Sequence, residues 1–541
     1  MTAKTGEIPK LIRYGKDTQK VQFKQYNEGE VLLFPDRLDS TISENHLVRI
    51  INHTVNQLDL TFLISTYSGG GTTAYHPRML LKILLYAYCL KLYTGRKIAN
   101  ALRSDITFMW LSGKQYPDFR TINNFRSGRL KDSIHTVFKS LLLLMFTEGY
   151  IRLEEYYCDG TTIQADANKH KVVWKKNSSR YLEGVKARID STLLEIDKLI
   201  KEENERYGED DLEILGKADS TRKDRIQESI SQLNRIINKE NSAKSKKSRT
   251  ASRLKNELEE ADLRRRIYEE QEHICGDRGG YSKTDPQATP MRTKECQEDL
   301  RPAYNGMVGS ENQYITGVSV HQNSNDGTCF KNHMEQTMPL LPDRPQQVIA
   351  DAIFGTEENY EFLNGQKIDA LLKYPSYDKE QTKDFRENPF YKENMPYDKE
   401  NDSFLCPNNK QLIYTGEVRV TNKNGFVSTL RNYECRDCAG CPLANQCGNK
   451  RQQGSNRTIQ VNQNLEDYKQ QMRQKLLTDE GKRLMKNRSH DIETCFGDIK
   501  QNMLFRRVHL RGLQKVEAEC IIVAMAHNLR KMNCASAREA A

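Results

Sequence analysis

At 541 residues the chain is long enough for several domains, each with a buried core. Its 83 Lys and Arg against 73 Asp and Glu leave a formal charge of +10, which favours a polyanionic partner and says nothing about fold. No run approaches the ~20 apolar residues of a transmembrane helix, and the start, Met1-Thr-Ala-Lys-Thr-Gly-Glu7, lacks the apolar core of a signal peptide, so membrane and secreted classes give way to a cytoplasmic one.

Residues 1–145 are expected to be mainly helical after an extended start. The apolar run Met79–Leu90 follows Pro77, which suits the first turn of a helix. Gly95–Arg103 has the length of one helix of a helix-turn-helix, and the tract Thr121-Ile-Asn-Asn-Phe-Arg126 could be another. A small Arg-bearing helical domain is a common form of DNA reader, with Arg96 and Arg126 as its candidate contacts. A bundle that only packs against the rest of the chain is the other reading.

Residues 146–174 begin a sheet. Tyr156 to Ile163 is aromatic and β-branched except at Asp159-Gly160, which predicts a buried strand with an acid at a kink. Residues 175–272 are highly charged and contain few aromatics. Val185, Ile189, Leu193, Ile196 and Ile200 recur at steps of three and four, as do Ile226, Ile230, Leu233 and Ile237. Such heptad-like seams predict a coiled-coil-like helical hairpin, with breaks at Gly208-Glu-Asp-Asp211 and Asn241–Ser248. It could pair protomers, clamp DNA or space the two halves of the chain.

Sheet-like texture returns over 273–375. Gly279-Gly280 and Thr284-Asp285-Pro286 read as turns, and Tyr314–His321, Gln346–Ala352 and Ile368–Lys373 as strands. The middle strand ends at Asp351, followed by Gly355 and a helix start at Thr356-Glu357-Glu358. A mixed sheet flanked by helices accounts for this order.

Residues 376–460 are polar, with several prolines and the densest cysteines: Cys406, Cys435, Cys438, Cys441 and Cys447. Spacings of two suit a structural zinc held by four thiolates, and part of the run also fits an iron–sulfur pattern. Reduced, unligated thiols are the third reading. The other cysteines, such as Cys89, Cys158 and Cys520, stand alone in apolar runs, as reduced cytosolic thiols do.

Over 461–541 the apolar residues Ile492, Phe496, Ile499 and Met503 fall at steps of four, three and four, a helical stripe. Glu493 and Lys500 are seven apart, two turns, beside it. Leu504–Gly512 and Val516–Lys531 read as further helices, with His509 and His527 in packing or capping roles. Basic clusters lie at Lys169, Lys171, Lys175 and Lys176, at Lys244, Lys246, Lys247 and Arg249, and at Arg506, Arg507 and Arg511. Each is either a solvated face or a phosphate contact.

Three acids stand out together: Asp159 and Asp351 at strand ends and Glu493 on a late helix. Two-metal phosphoryl transfer needs such a set, with carboxylates holding two divalent ions about 4 Å apart. In this order the three resemble the DDE triad of insertion-sequence transposases, whose catalytic core is RNase H-like. The nearest likeness is to the IS-eleven-eighty-two-like group with an InsH-like N-terminal domain. It is carried by Tyr75-His-Pro-Arg-Met-Leu-Leu-Lys82, Pro117–Arg126, Asp159-Gly-Thr161, Tyr304-Asn305, Ala350-Asp351 with Gly355, Glu493-x-x-Phe496-Gly497-x-Ile499-Lys500 and Ala526–Lys531. Related transposases often carry Tyr-x-x-Arg-x-x-x-Glu-x-x-x-x-x-x-Lys; here Lys486 and Ser489 hold the Tyr and Arg places, and Arg488 is one residue off.

The resemblance implies an α/β, RNase H-like mixed sheet, with the core split over 146–174, 273–375 and 461–541. The helical insertion 175–272 and the Cys-rich insertion 376–460 interrupt it, behind an N-terminal helical DNA-binding domain. It implies Mg²⁺ or Mn²⁺ on Asp159, Asp351 and Glu493, with Asp159 bridging both ions. Phosphate contacts fall to Lys500, Arg488, Arg506 and Arg507. Its partners are double-stranded DNA, as element ends and target, and a second copy in a synaptic homodimer; a place on the nucleoid follows. A catalytically idle DNA-binding descendant and an RNase H-fold nuclease are the alternatives. No Gly-x-x-x-x-Gly-Lys-Ser/Thr loop is present, in keeping with ATP-independent chemistry.

Overall fold

A computed structural model describes residues 37–67, 74–207, 222–239, 246–293, 296–447 and 455–539. The expected extended start, the Gly208 break and residues 241–245 of the second break lie outside the described residues. Met1–Ser43 and Glu44–Ala541 form separate compact units. In the first, Ser40 Oγ donates to the Arg37 carbonyl across a short turn.

Helices open the second unit at Leu47–Gln57, Thr61–Ser65, Pro77–Cys89, Gly95–Ser104, Ile106–Leu111, Phe119–Asn124 and Leu130–Thr147. Pro77 takes the first turn, with the His76 ring accepting from Arg78 N ahead of it. The apolar faces of Leu47–Gln57, Pro77–Cys89 and Leu130–Thr147 close on the last helix of the chain, Leu513–Glu539. Tyr88 donates to Glu519 at 3.0 Å and Arg530 to the Cys89 carbonyl at 3.0 Å.

Next comes β1 (Glu155–Gln164), then β2 (Val172–Trp174), which leads into the helices Lys175–Tyr207, Arg222–Lys239 and Lys246–Cys275. The insertion therefore has a third helix beyond the two expected seams. Ile189, Leu193, Ile196, Ile200, Ile226 and Leu233 meet Ala251, Leu254, Leu258 and Ala261 in one core. Strand β3 (Gly280–Ser282) pairs with β2 at the base. Gly280 thus opens a strand and is not part of a turn; a Cβ there would meet the Val173 carbonyl at 2.5 Å.

The main sheet gains β4 (Thr289–Thr293), β5 (Cys296–Glu311), β6 (Tyr314–His321), β7 (Gln347–Ala350) and β8 (Asp369–Leu372). From β6 the order runs β5, β1, β7, β8, antiparallel across the first two joints and parallel across the last two. This mixed sheet, with helices on it, is the RNase H-like core that was expected. The helix Asp326–Thr337 covers one face, where the buried Tyr156 hydroxyl lies 2.9 Å from His333 Nε2. The ring needs Gly309 on β5, where a Cβ would lie 1.9 Å from it.

The Cys-rich insertion holds a second sheet, β9 (Tyr397–Asp398), β10 (Ser403–Leu405), β11 (Gln411–Thr421), β12 (Val427–Cys435) and β13 (Arg457–Val461), antiparallel throughout. After it run the helices Gln463–Leu477 and Asp479–Arg488, a π-helical turn Ser489–Glu493, one α turn Thr494–Gly497 and a second π turn Asp498–Asn502.

The helix expected over Leu504–Gly512 is absent. Leu504 takes φ 57°, and the chain then runs beside the end of β1: Gln164 N donates to Arg506 O and Val508 N to Gln164 O. Sheet bonding competes successfully there with a modest helical pattern. Among the described residues no helix is long and apolar enough to cross a membrane.

Candidate active site

Strand β1 is paired with β7 as far as Cys158 opposite Ala350. The next residues are Asp159 and Asp351, so parallel pairing delivers two acids side by side where β7 ends. Each carboxylate gives Oδ1 to the next backbone N–H, Asp159 within β1 accepting from Gly160 N and Asp351 at the end of β7 from Ala352 N, both at 2.7 Å. Each offers Oδ2 to one guanidinium. Arg488 Nη1 lies 3.3 Å from Asp159 and Nη2 3.5 Å from Asp351. The Arg488 side chain is 11 % exposed. Its Nε is buried without a hydrogen-bond partner among the described residues.

Two anchors hold Arg488 there. Arg483 on the same helix donates to Glu155 at 2.7 Å, pinning the helix to the start of β1. Asp491, inside the π turn, accepts from Ser310 Oγ at 2.6 Å and Gln313 N at 2.8 Å. Burial pushes its carboxyl above the ordinary carboxylate range despite those bonds. Arg488 ends its helix just before the π turn Ser489–Glu493, in which bonds from i to i+5 widen the coil.

Glu493 is solvent-exposed, one turn before Phe496. Phe496 and Lys500 line an apolar cavity over Thr161 and Ile163 of β1. Lys500 Nζ donates to the Thr162 carbonyl at 3.2 Å. Among the described residues no three His, Cys, Asp or Glu side chains are gathered closely enough to hold one ion. The structure thus unites Asp159, Asp351 and Arg488 and leaves Glu493 outside that group.

The basic residues separate into two kinds. Arg506 and Arg507 are exposed along the segment beside β1, Arg506 donating to the Lys500 carbonyl and Arg507 to Asp166. Arg96 is exposed over the Phe119 ring. Arg126, expected to touch DNA, lies inside the protein at 4 % exposure. It donates to Tyr88 OH at 2.8 Å and the Tyr93 carbonyl at 2.7 Å, with Glu519 at 4.0 Å. Its guanidinium completes a buried polar network and has no free surface for a phosphate. The histidines read as packing residues are that: His509 stacks on Tyr93, and His527 joins Asp498 to the Gln313 carbonyl.

Asp326 was missed from the sequence, where it is one more polar residue after β6. It opens the helix Asp326–Thr337 and accepts from Asn305 Nδ2 at 2.5 Å, directly against Gly160. A Cβ on Gly160 would lie 2.5 Å from Asp326 Cγ. Gly160→Ala is therefore expected to lower stability by about 1–3 kcal/mol through overpacking, read as a shift of the urea midpoint at unchanged slope. An unshifted midpoint would mean that Asp326 moves aside freely.

Comparison with known proteins adds two family matches. Residues 405–533 match a family described as transposase DDE domain, and residues 36–128 one described as transposase domain (DUF772). The first match includes Arg488, Glu493 and Lys500, while Asp159 and Asp351 lie upstream of it. No curated protein and no solved structure matches the chain. A transposase domain is thus matched toward each end of the chain, with a mixed sheet between them, and the two matches support a DDE transposase of an insertion sequence.

Proposed function

We propose that this transposase cuts DNA at the ends of its element and joins the freed 3′-hydroxyl to target DNA at the site built on Asp159, Asp351 and Glu493. The observation that carries the reading is the convergence of two carboxylate oxygens, one from each aspartate, on a single half-buried cation, the Arg488 guanidinium. A position that already holds positive charge between two hard oxygen donors fits Mg²⁺ or Mn²⁺. Asp159 and Asp351 would hold the ions, and Glu493 would complete the second set. A pair of such ions activates the attacking oxygen and stabilises the leaving one.

The protein's own groups supply the rest. Arg488, with its Nε unsatisfied, turns from the aspartates to the scissile phosphate, for which its planar fork is suited. Lys500, Arg506 and Arg507 follow on along the edge of β1 and hold the adjoining backbone. Arg96, on the N-terminal helices, contacts DNA farther out. Because one phosphodiester replaces another in the joining step, no nucleotide is consumed.

A labelled duplex with the element's 3′-hydroxyl end, a supercoiled plasmid and Mg²⁺ provide the test. The full-length protein should give joined product that disappears with Glu493→Gln. Cutting without joining would point to a nuclease, and retarded DNA with neither would point to an idle binding protein.

A further inference from the structure

We propose that the Cys-rich insertion carries a structural zinc ion held by Cys406, Cys438, Cys441 and Cys447, with Cys435 reserved for the apolar core. This site is independent of the acidic one. Folding brings together thiols from separate segments: Cys406 from the turn after β10, Cys438 and Cys441 from the loop after β12, and Cys447 beyond it. With Cys435 they line one enclosed cavity of about 20 Å³. None of these cysteines is in a disulfide.

Donors are already aimed at the sulfurs. Lys410 N lies 3.3 Å from Cys406 Sγ, Arg457 N 3.3 Å from Cys438 Sγ, and Asn408 Nδ2 3.5 Å from Cys441 Sγ. Such N–H groups orient thiolate ligands and share their charge. The cations of Lys410 and Arg457 line the same cavity, where four thiolates on a divalent ion would leave two negative charges. Zinc takes four ligands in structural sites, so one of the five thiols is surplus. Cys435 ends β12 and is 1 % exposed, inside the cluster of Leu412, Tyr433, Ile459 and Val461, whereas Cys406 and Cys438 rest against that cluster from outside, partly exposed. The other four occupy turns and loops, where side chains can turn inward. Some rotation is required, since among the described residues no three ligating side chains stand at coordination distance.

The insertion has reason to need a staple. Among the described residues its core cluster contains six buried side chains, few for a five-stranded sheet, and small folds commonly add a metal. The staple also acts at a distance. The β11–β12 tip reaches the helix after Asp351, where Asn422 donates to Glu358 at 2.7 Å and Ser428 to Glu357 at 2.5 Å.

The full-length protein, purified without a chelating tag, should contain one zinc per chain by elemental analysis. Cobalt exchanged into it should give the charge-transfer and d–d absorption of a tetrahedral thiolate site. Cys438→Ser and Cys441→Ser should lose the metal, and Cys435→Ser should retain it. Should a ligand variant fail to fold, chelation of the wild-type protein provides the second reading: faster amide exchange in β11 to β13, with the main sheet protected. Purified protein without stoichiometric zinc, iron in its place, or metal lost with Cys435→Ser and kept with Cys447→Ser would each overturn the assignment.

Discussion

Asp159→Asn is expected to yield a folded, DNA-retaining protein that neither cuts nor joins, its rate lowered on the order of 10³-fold, about 4 kcal/mol of barrier. Asparagine keeps the size of the side chain and the acceptor for Gly160 N, so the strand survives. What it removes is negative charge at the point where Asp159 and Asp351 share Arg488. Arg488→Ala makes an instructive contrast. It should also slow the reaction, by roughly 10²-fold as a lost phosphate donor, yet it should tighten binding of Mn²⁺ in the absence of DNA, because a competing cation has gone. Calorimetric titration of the two variants separates these cases: weaker ion binding in Asp159→Asn, stronger in Arg488→Ala. Equal affinity in both would remove the argument that the guanidinium stands in the cation's place.

The strands that carry Asp159 and Asp351 were legible in the sequence because they follow local rules. Tyr156–Ile163 and Gln346–Ala352 are apolar, β-branched runs, and the structure places strands at Glu155–Gln164 and Gln347–Ala350. Strand β5 was illegible for the opposite reason. Its Pro302, Gly306 and Gly309 read as punctuation, yet they serve the sheet, since Gly309 makes room for the Tyr156 ring across the strands. Neither the π turns nor the approach of Arg488 to the aspartates could be read from spacing. Seven residues from Glu493 to Lys500 predict two α turns on one face, whereas the chain makes one α turn between two π turns. Arg126 failed for a similar cause. An arginine on an N-terminal helix is a fair DNA contact until a buried acid about 390 residues onward, Glu519, claims it.

That acid carries the largest stability effect expected away from Asp159, Asp351 and Arg488. Glu519 is fully buried and accepts from Tyr88 OH at 3.0 Å, His509 N at 2.8 Å and Leu510 N at 2.9 Å, with Arg126 at 4.0 Å. It joins the N-terminal helices, the segment beside β1 and the last helix. Glu519→Ala strips the carboxylate from a buried guanidinium and two backbone donors, which should lower stability by about 3–5 kcal/mol. Glu519→Gln keeps an acceptor and gives up the charge, so a smaller loss of about 1.5–3 kcal/mol is expected. Urea unfolding of the two variants tests the order. The same network decides what Arg126 does. Arg126→Ala should destabilise the protein while leaving the salt dependence of DNA affinity unchanged, because no phosphate contact is lost; Arg506→Ala should make that dependence shallower by about one counterion. A shallower slope for Arg126→Ala at full stability would return that residue to the DNA surface and take the network apart.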